Sequence, residues 1–341
     1  MAFFKNRLNV TAEYYTMKTK DVLLSISMPG TSGVNSVMAN IGETQNKGFE
    51  MSIDGTIIDN KNGWNWTAGV NFYVNRNKLV KLASGQDEDR GNAWFVGHPI
   101  DCIYDYKYEG IWQEDEEDIR KILEPAGAPG MIKVAYTGEY DENGKPVRQI
   151  NDNDKIPQSM ECDLQGGFNT TVSWKNIDLN IVGAFKVGGL LISTLYGSGG
   201  YLNLLSTKNN NIDVDYWTPE NTGSRYPSPK VARDGDNAKY ASTLGYFDAS
   251  YLKIRTITLG YNLEKLGVFK NAGISKMRVY FSILNPFVMF SPYKKESGMD
   301  PETNSYGNEN AAVASYQKRL LTIGTNTPST RTYMFGLNFT F

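Results

Sequence analysis

The sequence is poor in the residues on which many catalytic and metal sites depend. Its 341 residues include one histidine, His98, and two cysteines, Cys102 and Cys162. A single histidine without evident partners argues against a catalytic triad or a histidine-based zinc site. Two cysteines do not make a disulfide framework, so we predict two free thiols, with a bridge between them as the alternative in an oxidising compartment. A formal net charge of −2 gives no general attraction to nucleic acid or to anionic lipid.

Long apolar runs are also missing. A transmembrane helix needs about 20 consecutive apolar residues, and the richest stretch, Val279 to Phe290, is short and interrupted by polar residues and a proline. The first residues, Met1 to Arg7, lead directly into a strand pattern without the apolar segment of a secretory signal peptide. We therefore expect strands to make any contact with a membrane core, and we expect a secreted barrel with this sequence to have lost its true N-terminus.

What the sequence does contain is alternation. It has 21 Tyr, 15 Phe and 33 Gly, a composition typical of strands in which only every second residue need be apolar. In the clearest segment, Trp64, Trp66, Ala68, Val70, Phe72 and Val74 alternate with Asn65, Thr67, Gly69, Asn71, Tyr73 and Asn75. Eight segments show this period of two, which places one residue set on each face: residues 8–14, 49–57, 64–75, 165–174, 177–185, 256–263, 277–283 and 333–341.

Alternation by itself does not say whether the apolar face meets a protein core or lipid. Two features favour lipid. The first is a set of aromatic residues near the strand ends, where an aromatic girdle would lie: Trp64, Trp66, Trp174 and Tyr251. The second is the opposite face, which is rich in Asn, Thr, Ser and Gly, as expected for a hydrated lumen.

The connections between the segments differ greatly in length. Those over residues 59–63, 175–176 and 264–273 are short, whereas those over 18–47, 76–163, 188–250 and 285–331 are long. Long loops on one side and short turns on the other are typical of outer-membrane barrels and uncommon in compact soluble domains. Residues 104–112 and 131–136 add either two membrane strands or a hairpin outside the membrane. We therefore predict an all-β fold, an antiparallel transmembrane β-barrel portion of eight to ten strands with long extracellular loops.

Several short motifs occur in a family-specific order. They are Phe3–Leu8 with Tyr14-Tyr15, Asn46–Glu50, Asn75–Leu79, Val96–Ile100, Tyr108–Gln113, Tyr251–Arg255, Asn285–Phe287 with Tyr293, Asp300–Glu302 and Gly336–Phe339. Together they resemble the C-terminal barrel portion of SusC/RagA-type TonB-linked outer-membrane transporters. The resemblance implies that residues 1–341 are the C-terminal part of a larger barrel, with the plug and N-terminal domains absent. It further implies import of oligosaccharides or peptides, located in the outer membrane of a Gram-negative bacterium.

The same resemblance implies partners. They are a SusD-like surface lipoprotein, the TonB complex acting through the missing plug, and the lipid bilayer, with no nucleic acid and no cofactor. The last strand carries apolar residues at every second position and ends on Phe341. Such a terminal strand resembles the signal by which the outer-membrane assembly machinery recognises its clients through strand pairing.

Other candidate sites are weak on sequence grounds. The turn Asp141–Pro146, with Asp152 and Asp154 beyond it, offers oxygen ligands, but a lysine and a proline stand where a calcium loop needs an oxygen and a glycine. The acidic run Glu114–Asp118 is more typical of a solvated surface than of a glycosidase carboxylate pair. Residues Gly197–Gly200 lack the lysine and helix of a phosphate loop.

Aromatic residues of the long loops are the remaining candidates. Tyr201, Tyr216 and Trp217 are placed to stack on sugar rings, although packing within loops is the commoner use of such residues. We assign no catalytic, cofactor-binding or metal-ligating residue, and the substrate-binding residues stay open. A soluble or surface all-β glycan-binding module is the alternative function, and an enzyme ranks below both.

Overall fold

The computed structural model describes residues 2–27, 30–33, 36–82, 85–197, 214–234, 237–263, 276–302, 317, 319–324 and 328–340. In chain order, the strands and helices of these ranges are β1 Ala2–Phe3, β2 Leu8–Ser27, β3 Ser36–Lys61, β4 Trp64–Lys81, β5 Glu88–Asp89, β6 Trp94–Phe95, β7 Cys102–Asp105, β8 Tyr108–Ile111, α1 Glu117–Leu123, β9 Ile132–Val134, β10 Ile156–Ser159, β11 Leu164–Trp174, β12 Ile177–Val187, β13 Leu190–Ser193, β14 Arg233–Asp234, β15 Asn237–Ala238, β16 Tyr246–Asp248, β17 Tyr251–Asn262, β18 Lys276–Met289, α2 Pro292–Ser297, β19 Thr322–Ile323 and β20 Thr332–Thr340.

One large antiparallel sheet dominates the fold. Its order is β1-β2-β3-β4-β11-β12-β17-β18-β20, so strands that follow one another along the chain are also neighbours in space once the intervening loop strands are set aside. Eight of the nine strands are long and cover the eight predicted segments, except for Leu263, one residue beyond β17, and residue 341, which is outside the described residues. This confirms the antiparallel arrangement and eight of the predicted eight to ten strands. The ninth, β1, is a two-residue strand that pairs Ala2 with Asn9 and Phe3 with Leu8.

Two of the predicted long connections, residues 18–47 and residues 76–163, contain strands. Residues 18–47 are not a long loop, because β2 continues to Ser27 and β3 begins at Ser36, with paired residues such as Lys18 and Gln45. Backbone pairing extends these strands where the apolar alternation has ended, so the sequence pattern did not reveal them. Residues 104–136 add no strand to the large sheet: β7 pairs with β10, and β8 pairs with β9. They belong to small sheets outside it.

The short turns lie at one end of the sheet. Between β3 and β4 the turn is reduced to Asn62-Gly63, both with positive φ, because Lys61 already pairs with Trp64. A two-residue turn of this kind matches the twist of the flanking strands. Between β11 and β12 the turn is Lys175-Asn176. The predicted turn over 264–273 lies outside the described residues.

The two faces of the sheet differ as the alternation predicts. The apolar face carries rows of facing side chains such as Ile181, Ile257 and Ile283, which are direct partners on β12, β17 and β18. The polar face carries residues such as Asn169 and Asn180. Many large side chains of the apolar face are exposed, among them Phe49, Trp64, Trp66, Trp174, Leu259, Phe281, Phe335, Leu337 and Phe339. A soluble protein rarely leaves so extensive an apolar surface uncovered.

Two glycines of the polar face let aromatic rings lie flat across a neighbouring strand. Gly48 faces Tyr15, and Gly336 faces Tyr280, each directly across a strand pair. A Cβ at either glycine would overlap the ring. The ring covers backbone that the glycine leaves bare, an arrangement that fixes strand register.

The hydrophobic core lies in the loops and not on the sheet. Nine of the ten largest fully buried side chains belong to them: Trp112, Tyr293, Ile103, Met131, Ile132, Leu191, Leu244, Leu320 and Ile323, with Leu79 of β4 as the exception. We call the loop residues 85–163, 188–197, 214–234, 237–250, 290–302 and 319–324 the cap. Residues from the three long connections, β4 to β11, β12 to β17 and β18 to β20, meet in its main cluster, so these connections fold together at the end of the sheet opposite the short turns.

A charge on the apolar face should destabilise the sheet more than a charge on the polar face at the same level. We expect Ile257→Arg to lower the free energy of unfolding by about 2–4 kcal/mol if the residue lies near the bilayer midplane. The control is Asn169→Arg on the polar face, which lies two strands away and at nearly the same distance from the short turns. This control should change the free energy of unfolding by less than about 1 kcal/mol. Denaturant unfolding in lipid vesicles measures both, and equal losses would contradict the facing assignment.

Candidate functional site

A polar cavity of about 400 Å³ lies where the polar face of the sheet meets the cap. The sheet contributes polar side chains from β3, β4, β11 and β12, and the cap contributes two carboxylates; the polar lining residues are Asn46, Asn75, Asn77, Asp101, Glu161, Gln165 and Lys186. Amides, carboxylates and an ammonium together offer both donors and acceptors. The arrangement suits a hydrated polar ligand better than an apolar one.

Hydrogen bonds hold the amides of this cavity in place. The Nδ2 of Asn77 donates to Oδ1 of Asn46 at 2.9 Å, and the hydroxyl of Tyr15 donates to Oδ1 of Asn75 at 3.0 Å. The backbone N–H of Asn77 donates to Glu161 at 2.5 Å. Burial raises the pKa of the Glu161 carboxyl, although the Asn77 N–H and the nearby Arg76 oppose this shift. The wall of the cavity is therefore preorganised by contacts between strands and cap.

A second cavity, of about 490 Å³, opens in the cap itself. Its lining includes Tyr108, Glu116, Lys133 and Arg225. Lys133 donates to Glu116 at 2.5 Å, and although burial opposes ionisation of Glu116, the Lys133 contact and a backbone N–H lower its pKa. The guanidinium of Arg225 lies 5.7 Å from the Tyr108 ring centroid and donates to two backbone carbonyls. This cavity is also polar, and its wall contains the ion pair between Lys133 and Glu116.

A buried ion-pair cluster ties the cap to the sheet. The Nζ of Lys253 on β17 lies 2.6 Å from Asp300 and 3.0 Å from Glu302, and the Lys253 side chain is 5% exposed. Tyr251 and Arg255 of the same strand also donate to Glu302, at 2.7 Å and 2.6 Å. Tyr251 is the direct partner of Lys186 and therefore lies on the polar face of the sheet. An aromatic girdle would lie on the apolar face, so the predicted girdle position of Tyr251 is wrong. A bulge between Ile254 and Thr256 marks this part of β17.

A buried carboxylate organises another part of the cap. The Oδ1 of Asp154 accepts from the backbone N–H and the hydroxyl of Thr137, at 2.8 Å and 2.9 Å, and Arg148 donates to Oδ2 at 2.6 Å. The N–H of Asn151 also donates to Oδ2. Burial opposes ionisation of Asp154, but the Arg148 contact and the N–H donors outweigh it and lower the pKa to about 2. Asp154 thus joins the segments that contain Thr137, Arg148 and Asn151, and both of its oxygens are occupied by donors of the protein.

The other residues considered for calcium are likewise committed to protein contacts. Asp152 pairs with Lys155 at 2.8 Å and accepts from Tyr106. Asp141 accepts from two N–H groups of its own turn, those of Asn143 and Lys145. The described residues bring together no group of three His, Cys, Asp or Glu side chains that would hold a metal ion.

Most of the remaining candidate residues make contacts within the protein. In the acidic run, Glu116 pairs with Lys133 and Glu117 pairs with Lys121 as the chain enters α1. His98 lies in a turn, and its ring packs edge-on against Phe95. Cys102 is buried, and both cysteines are free thiols, which confirms that prediction. Of the segment Gly197–Gly200, only its first residue lies within the described ranges.

The three aromatic candidates for sugar stacking have different outcomes. Trp217 is 5% exposed, and its Nε1 donates to Gln113 at 3.0 Å, so it is a core residue of the cap, which confirms packing within the loops and removes it as a stacking candidate. Tyr216 is 47% exposed and stays a candidate. Tyr201 lies outside the described residues, as does Phe341. No helix in the described part of the chain is both long and apolar enough to cross a membrane.

Known proteins resemble this chain in sequence and in fold. A family model described as TonB dependent receptor-like, beta-barrel, matches residues 1–183. TonB-dependent receptor P3 of Formosa agariphila is 31% identical over 364 residues, covering 100% of this chain and 33% of the relative. TonB-dependent receptor SusC of Bacteroides thetaiotaomicron is 28% identical and covers 89% of this chain and 28% of the relative. The structure of the RagAB peptide transporter matches with a TM-score of 0.70 at 25% identity, covering 98% of this chain and 34% of that chain.

Fold and similarity agree on the class of protein. An antiparallel sheet with an exposed apolar face, a polar face and long loops at one end is the wall of an outer-membrane β-barrel. The family model matches more than half of the sequence, and the chain belongs to the TonB-dependent receptor β-barrel family. This confirms the SusC/RagA-type resemblance and a location in the Gram-negative outer membrane. The family is one of transporters and not of enzymes, and the chain spans about a third of the length of the curated relatives it matches.

Sequence reasoning missed the residues that join cap and sheet. The motifs Tyr251–Arg255 and Asp300–Glu302 are both visible in the sequence, but no local pattern indicates that Lys253 pairs with Asp300, a carboxylate 47 residues away. Nor did it indicate that Glu161 would reach the cavity. A lysine within an apolar strand is the one signal that calls for a buried carboxylate partner.

Asp154 should make the stability of the cap pH-dependent. Because its pKa is lowered to about 2 from an ordinary 3.8, its contribution is complete above about pH 4 and is lost as the pH falls towards 2. We expect Asp154→Asn to cost about 2 kcal/mol at pH 7 and to flatten this dependence. Hydrogen exchange of residues 132–156 measures the effect, with the exposed Asp115→Asn as control. An unchanged pH profile in Asp154→Asn would contradict the assignment.

The Lys253–Asp300 pair should hold residues 291–302 against the sheet. We expect Asp300→Asn to destabilise this segment by about 3 kcal/mol, since it leaves a buried ammonium with Glu302 as its remaining carboxylate. In a double-mutant cycle, adding Lys253→Met should cost much less than it does alone, because the unpaired charge is then gone. Hydrogen exchange over residues 291–302 reports the coupling, and strictly additive losses would show that the pair is not the anchor.

Proposed function

We propose that the chain is the C-terminal part of a TonB-dependent transporter that imports oligosaccharides or peptides across the outer membrane. The observation that carries this proposal is the polar cavity between the cap and the polar face of the sheet, built from Asn46, Asn75, Asn77 and Glu161. A polar interior wall that continues into a structured, polar cap offers hydrogen bonds along the path of a hydrated cargo. The SusC and RagAB likenesses support this cargo range, since RagAB is described as a peptide transporter.

The proposed partners follow from this role. A SusD-like lipoprotein would cover the cap, and TonB would act through a plug carried by the part of the relatives' length that this chain does not span. The last strand, β20, pairs with β18, and together with the terminal Phe341 of the sequence it would be the segment by which the assembly machinery engages the protein. Barrel assembly by strand pairing needs a free backbone edge, and β20 is the last strand of the described sheet.

Two measurements test the proposal in the source cell. An antibody against residues 331–341 should detect a product of the outer-membrane fraction well above the 38.1 kDa of this chain, about three times as large if it matches the relatives. Deleting the gene should abolish growth on one oligosaccharide or peptide class, and the intact gene should restore it.

The control strain carries an intact gene and lacks TonB, and it should show the same growth defect. Co-purification with a surface lipoprotein would support the partner. A band near 38 kDa would contradict the larger barrel, and unchanged growth on every oligosaccharide and peptide offered would overturn the import function.

A further inference from the structure

Cations are concentrated at the end of the sheet that carries the short turns. The cations described there are Lys5, Arg7, Lys61, Lys175, Lys276 and Arg278. The carboxylates are Asp59 and Asp178, and Asp178 is paired with Arg278. The chain as a whole has a net charge of −2, so this distribution is not a consequence of composition. Arg7 is committed to the backbone carbonyls of Thr56 and Ile57. Lys5 and Lys175 lie in turns, Lys61 ends β3 and Lys276 begins β18.

Two tryptophans meet at this end on the apolar face. Trp64 and Trp174 are directly opposite each other on β4 and β11, with ring centroids 5.7 Å apart and an interplanar angle of 26°. Their side chains are 43% and 38% exposed. One step further into the sheet, Trp66 directs its Nε1 to Thr170 at 2.9 Å. Tryptophan at the end of a membrane strand places an apolar ring at headgroup level.

Two lysines complete this cluster. The Nζ of Lys175 lies 4.5 Å from the Trp174 ring centroid, and Lys61 is the direct cross-strand partner of Trp64. The two turns touch, since the N–H of Lys175 donates to the carbonyl of Gly63 at 3.1 Å. Within the described part of the chain, neither ammonium lies in an ion pair with a carboxylate. Two cations thus flank a stacked aromatic pair and have room for an external anion.

We propose that this Trp–Lys rim (Lys61, Trp64, Trp174 and Lys175) binds the phosphate headgroup of an anionic phospholipid. The rings would lie against the glycerol and upper acyl chains, and the two ammonium groups would contact the phosphate. A lipid fits this rim better than a soluble anion, because the rings belong to the apolar face that meets the bilayer. The inference rests on the membrane location of the sheet and is independent of the proposed cargo.

The rim should discriminate between lipids by charge. The complete protein, purified in a non-ionic detergent, is titrated with phosphatidylglycerol or phosphatidylcholine, and bound lipid is counted by native mass spectrometry. We expect preferential binding of phosphatidylglycerol. Lys61→Gln and Lys175→Gln should each weaken it about fivefold, and the double variant about 25-fold, since one basic residue near an anionic surface contributes a factor of this size. Lys294→Gln/Lys295→Gln, in α2 of the cap, is the matched control and should have no effect.

Three outcomes would overturn the proposal. They are equal binding of the two lipids, equal binding by the double variant and the unaltered protein, and binding of inorganic phosphate alone with the affinity of phosphatidylglycerol, which would indicate an ion site. Quenching of tryptophan fluorescence by a headgroup-brominated phosphatidylglycerol provides a second readout that should fall in the double variant. Heat-dependent gel migration verifies that each variant is folded, so that lost binding is not mistaken for a lost barrel.

Discussion

Every backbone N–H and C=O that enters the hydrocarbon of a membrane must find a hydrogen-bond partner within the protein, because no water is available there. This constraint produces the large sheet. Each of its long strands pairs along most of its length with a neighbour, and the side chains are then free to serve two different surroundings. The apolar rows meet lipid, and the polar rows, with contacts such as Thr258 to Ser282 at 2.7 Å, meet the interior of the barrel.

Outside the membrane the constraint no longer applies, and ordinary hydrophobic burial takes over. The long connections gather at one end and form a core of their own around side chains such as Trp112 and Tyr293. Loops seldom form a hydrophobic core of their own, but these connections are long. Ordering such long segments costs a large conformational entropy, and the buried core offsets this cost. Buried charges then join the two regions, with Lys253 of the sheet held by Asp300 and Glu302 of the cap.

The strands were the most predictable part of the molecule. Residues 64–75 and 333–340 alternate so regularly that their faces follow from the sequence, because each strand obeys a local period of two. Prediction failed where pairing continued beyond the alternation, as in residues 18–27. It failed also where an aromatic residue had two plausible surroundings. Trp217 was a candidate both for sugar stacking and for packing within the loops, and it is buried, whereas Tyr251 was expected at the lipid boundary and instead donates to Glu302.

The sequence by itself determined the eight alternating strands and the identity of their two faces, since both depend on residues that are near one another along the chain. The tertiary structure decided how the loops fold together, which carboxylates are consumed by ion pairs, and where a polar cavity remains. Those outcomes depend on contacts such as Lys253 with Asp300 and Trp217 with Gln113. Partners so far apart in sequence are brought together by the order of strands in the sheet, and no local pattern encodes that order.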